Sequence, residues 1–109
     1  MKHRQVRLEK IIERELSRIL LTEVKDERLR YVTIFRVDLN NDYSIANVYF
    51  SVMGNEDQKQ STARVLEEAK GFIRSSLGKV LEIRKVPELR FKYDKYGEKI
   101  EDILQGLKK

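Results

Sequence analysis

The chain has 109 residues, of which 40% are hydrophobic and 38% charged, with a formal net charge of +5 and no cysteine. This length predicts one domain over residues 1–109, and the composition is that of a small, highly solvated globular protein. The lack of cysteine excludes disulfides, thiol catalysis and thiolate metal sites, and no apolar stretch is long enough to span a membrane. We therefore expect a cytoplasmic protein without a metal or a cofactor.

The first predicted element is an amphipathic helix over residues 4–23, because its apolar residues recur at spacings of three and four. A second face of this helix carries basic side chains. The segment Asp26-Glu27-Arg28 that follows predicts a loop. The residues of the apolar face are Leu8, Ile11, Ile12, Leu16, Ile19 and Leu20.

A β-hairpin is predicted next. Apolar residues alternate over residues 32–39, but the alternation changes phase at Phe35-Arg36, which predicts a β-bulge there. The turn-forming residues 40–42 lead to a second strand, where alternation over residues 45–52 indicates one buried and one partly solvated face.

A long helical pattern begins at about Glu56, where Asn55 and Gln58 form a predicted capping box. Apolar residues keep helical spacing to about residue 81, but Gly71 lies inside this pattern. Because glycine costs about 1 kcal/mol relative to alanine within a helix, we predict a kink or break at Ala69-Lys70-Gly71 that divides the segment into two helices.

A third strand is predicted after Val86-Pro87, because proline is tolerated at the first residue of a strand. A short last helix is expected from about Glu98 to Leu107. The complete order is helix, two strands, a kinked or broken helix, strand and short helix. This order predicts an α+β, two-layer fold in which helices cover one face of a three-stranded mixed sheet.

Charge is distributed unevenly along the chain. Residues 1–30 have a net charge of +3, residues 31–69 of −3, and residues 70–95 of +5. If the two basic regions meet in the fold, they form one positive face, which is typical of nucleic-acid binding. The alternative interpretation is an ordinary solubilising surface.

The element order is similar to that of a type II KH domain, an RNA-binding fold that usually has a Gly-x-x-Gly loop between two helices. This chain has Ala69-Lys70-Gly71 at that point, and the Ala-x-Gly motif resembles the ribosome-binding factor A family, whose domain is KH-like. Further segments similar to that family follow in register along nearly the whole chain: Arg4-Gln5-Val6-Arg7, Val32-Thr33-Ile34, Ala46-Asn47-Val48-Tyr49-Phe50-Ser51, Phe72-Ile73-Arg74, Arg84-Lys85-Val86-Pro87-Glu88-Leu89-Arg90-Phe91 and Tyr93-Asp94.

The resemblance implies a bacterial ribosome assembly factor that is not an enzyme. It implies that the chain binds the free small (30S) ribosomal subunit, assists late processing and maturation of 16S ribosomal RNA, and matters most in the cold. Residues 1–109 would then be one KH-like RNA-binding domain. Its partners would be 16S ribosomal RNA, the 30S subunit and ribosomal proteins, and we expect a monomer.

Candidate RNA-binding residues are the cations around the predicted kink and on the first helix, because Lys and Arg gain affinity for phosphates through counterion release. Gly71 would allow a nucleic-acid backbone to approach closely, and a break would free helix-end N–H groups; its alternative role is packing of the helix on the sheet. Phe72 is expected on or near the core, with most other aromatic residues. The backbone-binding candidates are Arg4, Arg7, Lys70, Gly71, Arg74, Arg84, Lys85 and Arg90, and the candidate stacking platforms are Tyr31, Tyr43, Tyr93 and Tyr96.

The residues give less support to other functions. An enzyme is disfavoured because the chain has a single histidine, His3, and no catalytic triad, phosphate loop or cluster of metal ligands. A general single-stranded RNA-binding protein and a ribosome-associated adaptor stay open, since the acidic residues 31–69 could face a basic ribosomal protein. A duplex DNA reader is disfavoured because Arg64, Glu67 and Glu68 lie on the predicted exposed side of the second helix.

Overall fold

The structure, a computed structural model, describes residues 2–83 and 85–93. The predicted helix over residues 98–107, Tyr96 and the candidate Arg84 lie outside the described residues. The elements in chain order are α1 (Lys2–Thr22), a 3₁₀ turn (Glu27–Tyr31), β1 (Val32–Leu39), β2 (Ile45–Val52), α2 (Glu56–Leu81) and β3 (Glu88–Tyr93). Neither α-helix is long and apolar enough to cross a lipid bilayer.

The 3₁₀ turn occupies the segment in which a loop was predicted. The Asp26 side chain accepts a hydrogen bond from the backbone N–H of Arg28 and caps the turn, while Leu29 is buried in the core. A buried leucine anchors what is otherwise a polar sequence, so the connection between α1 and β1 is ordered by tertiary packing.

The three strands form one mixed sheet in the order β1-β2-β3. β1 and β2 are antiparallel, whereas β3 returns parallel to β2 after α2. The predicted β-bulge is confirmed, because the register shifts between Ile34 and Arg36 and leaves Phe35 as the extra residue. The bulge allows Ile34 and Val37 to face the same buried side in spite of their odd spacing.

Helices cover one face of this sheet, as predicted. α1 packs on β1, and α2 packs against α1, β2 and β3. Alternate residues of β2 point toward the helices, so Ala46, Val48 and Phe50 are buried while their neighbours are more exposed. The fully buried side chains that join the two layers include Ile12, Leu16, Ile19, Leu66, Ile73, Leu77 and Leu89.

The start of α2 confirms the predicted capping box. Asn55 Oδ1 accepts from the backbone N–H of Gln58 at 2.9 Å, and Gln58 Oε1 accepts from the backbone N–H of Asn55 at 2.8 Å. Two helix N–H groups that lack intrahelical partners are thereby satisfied. At the other end, Glu82 adopts a left-handed conformation with φ 52° and its N–H donates to the carbonyl of Gly78.

The predicted break of this segment into two helices at Gly71 is wrong, whereas a kink of the continuous helix at Ala69-Lys70-Gly71 stays a prediction. α2 runs without interruption from Glu56 to Leu81, and Ala69, Lys70 and Gly71 are all helical. The local penalty of about 1 kcal/mol for one glycine is small beside the burial of the surrounding apolar residues, each of which contributes about 1.5–3 kcal/mol when fully buried. Tertiary packing of the helix face therefore outweighs the local preference.

Hydrogen bonds identify which parts of the chain share one end of the molecule. The Gln5 side chain donates to the carbonyl of Leu39 at 2.8 Å, which places the start of α1 beside the end of β1. The backbone N–H of Glu88 donates to the carbonyl of Ser44 at 2.8 Å, which brings the start of β3 to the same hairpin turn. Since α2 runs antiparallel to β3, its last turns lie at this end as well.

Candidate functional site

An open groove of about 430 Å³ lies between α2 and the connection to β3. It is lined by Gly71, Arg74, Ser75, Lys85 and Val86. The three α2 residues share one face of the helix, because positions three and four apart are neighbours on a helix surface. Arg74 Nη2 donates to the carbonyl of Val86 at 2.7 Å and so fastens the connection to the helix.

Two glycines of α2 have different surroundings. At Gly78, a Cβ would lie 2.7 Å from Val86 Cγ2, so the connection approaches the helix closely where a side chain is missing. At Gly71, no atom of the described residues beyond its own helical turn lies within 4 Å of the position that a Cβ would take. The alternative role of Gly71 in packing the helix on the sheet is therefore wrong, and its backbone is open to a ligand.

Continuity of the helix also changes which groups of Gly71 are available to a ligand. Inside an α-helix its N–H is directed at a carbonyl of the preceding turn, so the helix-end N–H groups expected from a break are not freed. What the structure provides is a bare stretch of helix surface. A sugar-phosphate chain can approach that surface more closely than one covered by a side chain.

A set of cations surrounds the carboxylate of Glu88 next to the groove. Arg90 Nε donates to Glu88 Oε2 at 2.6 Å. This hydrogen bond, together with the positive charges of Arg90, Lys70 and Arg74, holds the pKa of Glu88 below its ordinary value. The structure thus brings together Lys70, Gly71, Arg74, Lys85 and Arg90, which we call the basic groove.

The cations of the basic groove differ in whether a carboxylate of the protein forms an ion pair with them. Lys70 Nζ lies 3.0 Å from Glu67 Oε2, and Arg90 is paired with Glu88. Arg74 donates to an uncharged carbonyl, so the charge of Glu88 opposes it only without a hydrogen bond, and Lys85 is exposed on the connection. Arg74 and Lys85 are consequently the groove's best-placed groups for an external anion.

Arg4 and Arg7 lie on α1 instead. Both are exposed near its N-terminus, at the end of the molecule that also holds the last turns of α2. They do not line the basic groove. A ligand that reached both sets of cations would have to extend across this end of the protein.

The aromatic candidates separate into buried and exposed residues. Tyr43 and Tyr93 are partly buried against the core, and the Tyr93 ring lies edge-on to Phe50 with 5.8 Å between centroids. Phe72, expected on or near the core, is 54% exposed. Successive helical residues point 100° apart, so when Ile73 faces the core, Phe72 lies at its margin beside Gly71.

Phe72, Ser75 and Val86 are therefore site residues that the sequence analysis missed. A helical projection centred on Ile73 would have found Phe72, whereas nothing in the sequence places Val86 against Gly78. Among the described residues there is no group of three side chains able to hold a metal ion. Clustered cations beside bare helix backbone and an exposed aromatic ring suit a polyanion with stacking bases.

Comparison with known proteins agrees with this description. The family model of ribosome-binding factor A matches residues 4–107. The chain belongs to the ribosome-binding factor A family. Ribosome-binding factor A of Staphylococcus saprophyticus is 46% identical over 112 residues, a match that covers 100% of this chain and 98% of that protein.

Solved structures of the family share the fold. The solution structure of a putative ribosome-binding factor A from Thermotoga maritima superposes with a TM-score of 0.75 and 36% identity, over 87% of this chain and 91% of that one. A Thermus thermophilus ribosome-binding factor A, fitted as a homology model into a cryo-EM map of its complex with the 30S subunit, gives a TM-score of 0.68 and 26% identity, over 81% of this chain and 92% of that one. The family and the α+β architecture expected from the sequence are thus both confirmed.

Proposed function

We propose that this protein is a non-enzymatic assembly factor that binds the free 30S subunit through its 16S ribosomal RNA and assists late maturation and processing of that RNA. Membership of a family with a member fitted into a 30S complex supports the partner. In this proposal the protein acts as a monomer in the cytoplasm, as one KH-like domain over residues 1–109, and is most needed in the cold.

The observation that carries the RNA-binding part is the unoccupied space around Gly71. A glycine inside a helix reduces stability by about 1 kcal/mol relative to alanine, and no contact among the residues that the structure describes requires it here. A ligand whose backbone must approach the helix closely would explain why a glycine occurs at this position. The cations Arg74 and Lys85 border the same space, so the approaching chain is expected to be a phosphate backbone.

Binding would use several contacts of modest strength. Arg74 and Lys85 would neutralise phosphates and release counterions, while Gly71 would let the ribose-phosphate chain lie against the helix. Phe72 offers a ring on which one unstacked base could lie, a contact that does not depend on base identity. Such a site recognises the shape of single-stranded RNA more than its sequence.

Charge reversal on α2 and the connection tests this site. We expect Arg74→Glu and Lys85→Glu each to weaken binding to purified free 30S subunits about tenfold near 0.1 M salt and to reduce the dependence of log K on log salt concentration. Co-sedimentation across a salt series measures both quantities. Circular dichroism of each variant checks that the fold is unchanged.

Arg64→Glu is the matched control for these variants. Arg64 is exposed on the same helix and carries the same charge, but it does not line the groove. We expect its affinity to stay close to that of the unaltered protein. If all three reversals weaken binding equally, the effect comes from net charge and the basic groove is not the binding site.

A further inference from the structure

A second cavity lies near the N-terminal end of α2, far from the basic groove. It is a cleft of about 230 Å³ between the 3₁₀ turn, the end of β2 and the first turns of α2. The α2 residues of the cleft (57–62) and of the groove (71–75) are separated by about 20 Å along this helix, so the two sites lie on its opposite halves. The proposed RNA site therefore leaves the cleft unused.

Exposed apolar side chains line this cleft. Met53 is 79% exposed and Tyr31 is 61% exposed, while Val52, which also lines the cleft, is buried. Large apolar residues exposed together are uncommon on a protein that has no partner, because their burial is favourable. Methionine is flexible and polarisable, and tyrosine presents a broad apolar ring, so both are suited to hold a partner's side chain.

One wall of the cleft is fixed before any partner arrives. The Arg28 guanidinium donates to Asp26 through Nη2 at 2.8 Å and through Nε at 3.0 Å, and its Nη1 donates to Ser61 Oγ at 3.0 Å. These bonds tie the 3₁₀ turn to α2 and oppose the positive charge of Arg28 with a carboxylate. The arginine is thus held in the wall of the cleft, where Asp26 balances its charge although its side chain is about half exposed.

The surrounding charge favours a cationic partner. Residues 56–68 of α2 have four acidic and two basic side chains, whereas residues 69–81 have three basic and no acidic ones. Asp57 is exposed and lines the cleft itself. Phosphates are repelled from this half of the helix, and Lys or Arg side chains are attracted to it.

We propose that this cleft binds a basic segment of a small-subunit ribosomal protein. One aliphatic or aromatic side chain of that segment lies between Tyr31 and Met53, and a neighbouring Lys or Arg faces Asp57. This inference rests on the proposed function, since it assigns a second contact on the same subunit. RNA would then be held at one end of α2 and protein at the other.

The test compares two forms of the subunit as binding partners: intact free 30S subunits and protein-free 16S ribosomal RNA. We expect Met53→Asp to bind intact subunits about tenfold more weakly and protein-free RNA unchanged. Asp57→Asn is expected to give a smaller loss, also confined to intact subunits. An undiminished affinity of Met53→Asp for intact subunits, or an equal loss on protein-free RNA, overturns the proposal.

Two further variants separate this inference from the proposed function. Leu21→Asp places the same new charge at a residue that is 58% exposed but does not line the cleft, and we expect it to bind both partners normally. Arg74→Glu is expected to lose affinity for both partners. If Arg74→Glu binds both normally while Met53→Asp is impaired on subunits, the RNA site is wrong and the protein contact stands.

A photo-cross-linker identifies the partner directly. Benzoylphenylalanine introduced in place of Met53 is irradiated in the complex with free 30S subunits, and the product is treated separately with ribonuclease and protease. A cross-link to a ribosomal protein supports the proposal. A cross-link to ribosomal RNA or to a second copy of this chain, or the absence of any cross-link, overturns it.

Discussion

At the scale of single residues, the two glycines of α2 illustrate how the same residue type serves different purposes. The missing side chain of Gly78 leaves room for Val86, whose Cγ2 would lie 2.7 Å from an added Cβ. At Gly71, nothing in residues 2–83 and 85–93 outside its own helical turn comes within 4 Å of the corresponding position. A glycine that the fold does not use is a better indicator of a binding site than a glycine that packs, and the distinction depends entirely on neighbours distant in sequence.

Alanine substitution at these positions has opposite expected outcomes. Gly71→Ala is expected to increase the free energy of unfolding by about 1 kcal/mol, because helix propensity improves without a clash. The same gain at Gly78 is offset by overpacking against Val86, which costs about 1–3 kcal/mol. Chemical denaturation of both variants measures the difference.

Gly71→Ala is also expected to change binding to the 30S subunit. Gly71→Ala should be more stable and yet bind free 30S subunits more weakly, since the new methyl group occupies the bare helix surface. Full affinity in a stabilised Gly71→Ala protein would show that no ligand approaches this position, and the reason for the glycine would have to be sought elsewhere.

At the scale of elements, the 3₁₀ turn shows how a short polar segment is ordered. Asp26 caps the turn and holds Arg28, and Arg28 in turn reaches Ser61 on α2. Hydrogen bonds from the Arg28 side chain, and then from its backbone N–H, hold the pKa of Asp26 below its ordinary value. The charged form of Asp26 is therefore stabilised by folding.

This pKa direction determines a pH dependence. Since the native pKa of Asp26 is lowered, its contribution to stability is complete above the ordinary value of 3.8 and is lost as the pH falls through the native value. We expect Asp26→Asn to lower the free energy of unfolding at about pH 6 but to differ less from the unaltered protein at about pH 2. Urea denaturation at both pH values measures this, and a constant difference would contradict it.

At the scale of the whole molecule, charge is separated along α2. The end that holds the last turns of α2, the start of α1 and the start of β3 carries the basic groove together with Arg4 and Arg7. The other end holds the apolar cleft and the acidic first half of α2. This separation of charge favours an orientation in which the basic end faces a negatively charged RNA surface. The acidic end then points away from the RNA and is free for another contact.

The salt dependence of binding to 30S subunits shows whether the RNA contact extends from the basic groove to α1. If α1 also contacts phosphates, the double variant Arg4→Gln with Arg7→Gln reduces the slope of log K against log salt concentration by about two, one for each lost contact. Arg14→Gln, an exposed cation further along α1, is the control and should leave the slope unchanged. An unaltered slope in the double variant would restrict the RNA site to α2, the connection and β3.

Much of this architecture followed from local patterns. The amphipathic spacing of α1, the phase change at Phe35, the Asn55–Gln58 cap and the separation of charge along the chain each arise from residues close in sequence. Periodicity, turn chemistry and capping act over a few residues, so the sequence by itself determined the three strands, the two long helical segments, their order and the basic character of residues 70–95.

The tertiary structure alone decided how these parts meet. It kept α2 continuous through Gly71, brought Val86 against Gly78, and opened an apolar cleft beside Met53. Each of these outcomes depends on contacts between distant segments, whose summed burial exceeds the local preference of about 1 kcal/mol that a single residue expresses. Local preference therefore specifies which helices and strands form, and long-range packing specifies which of their surfaces stay free to bind.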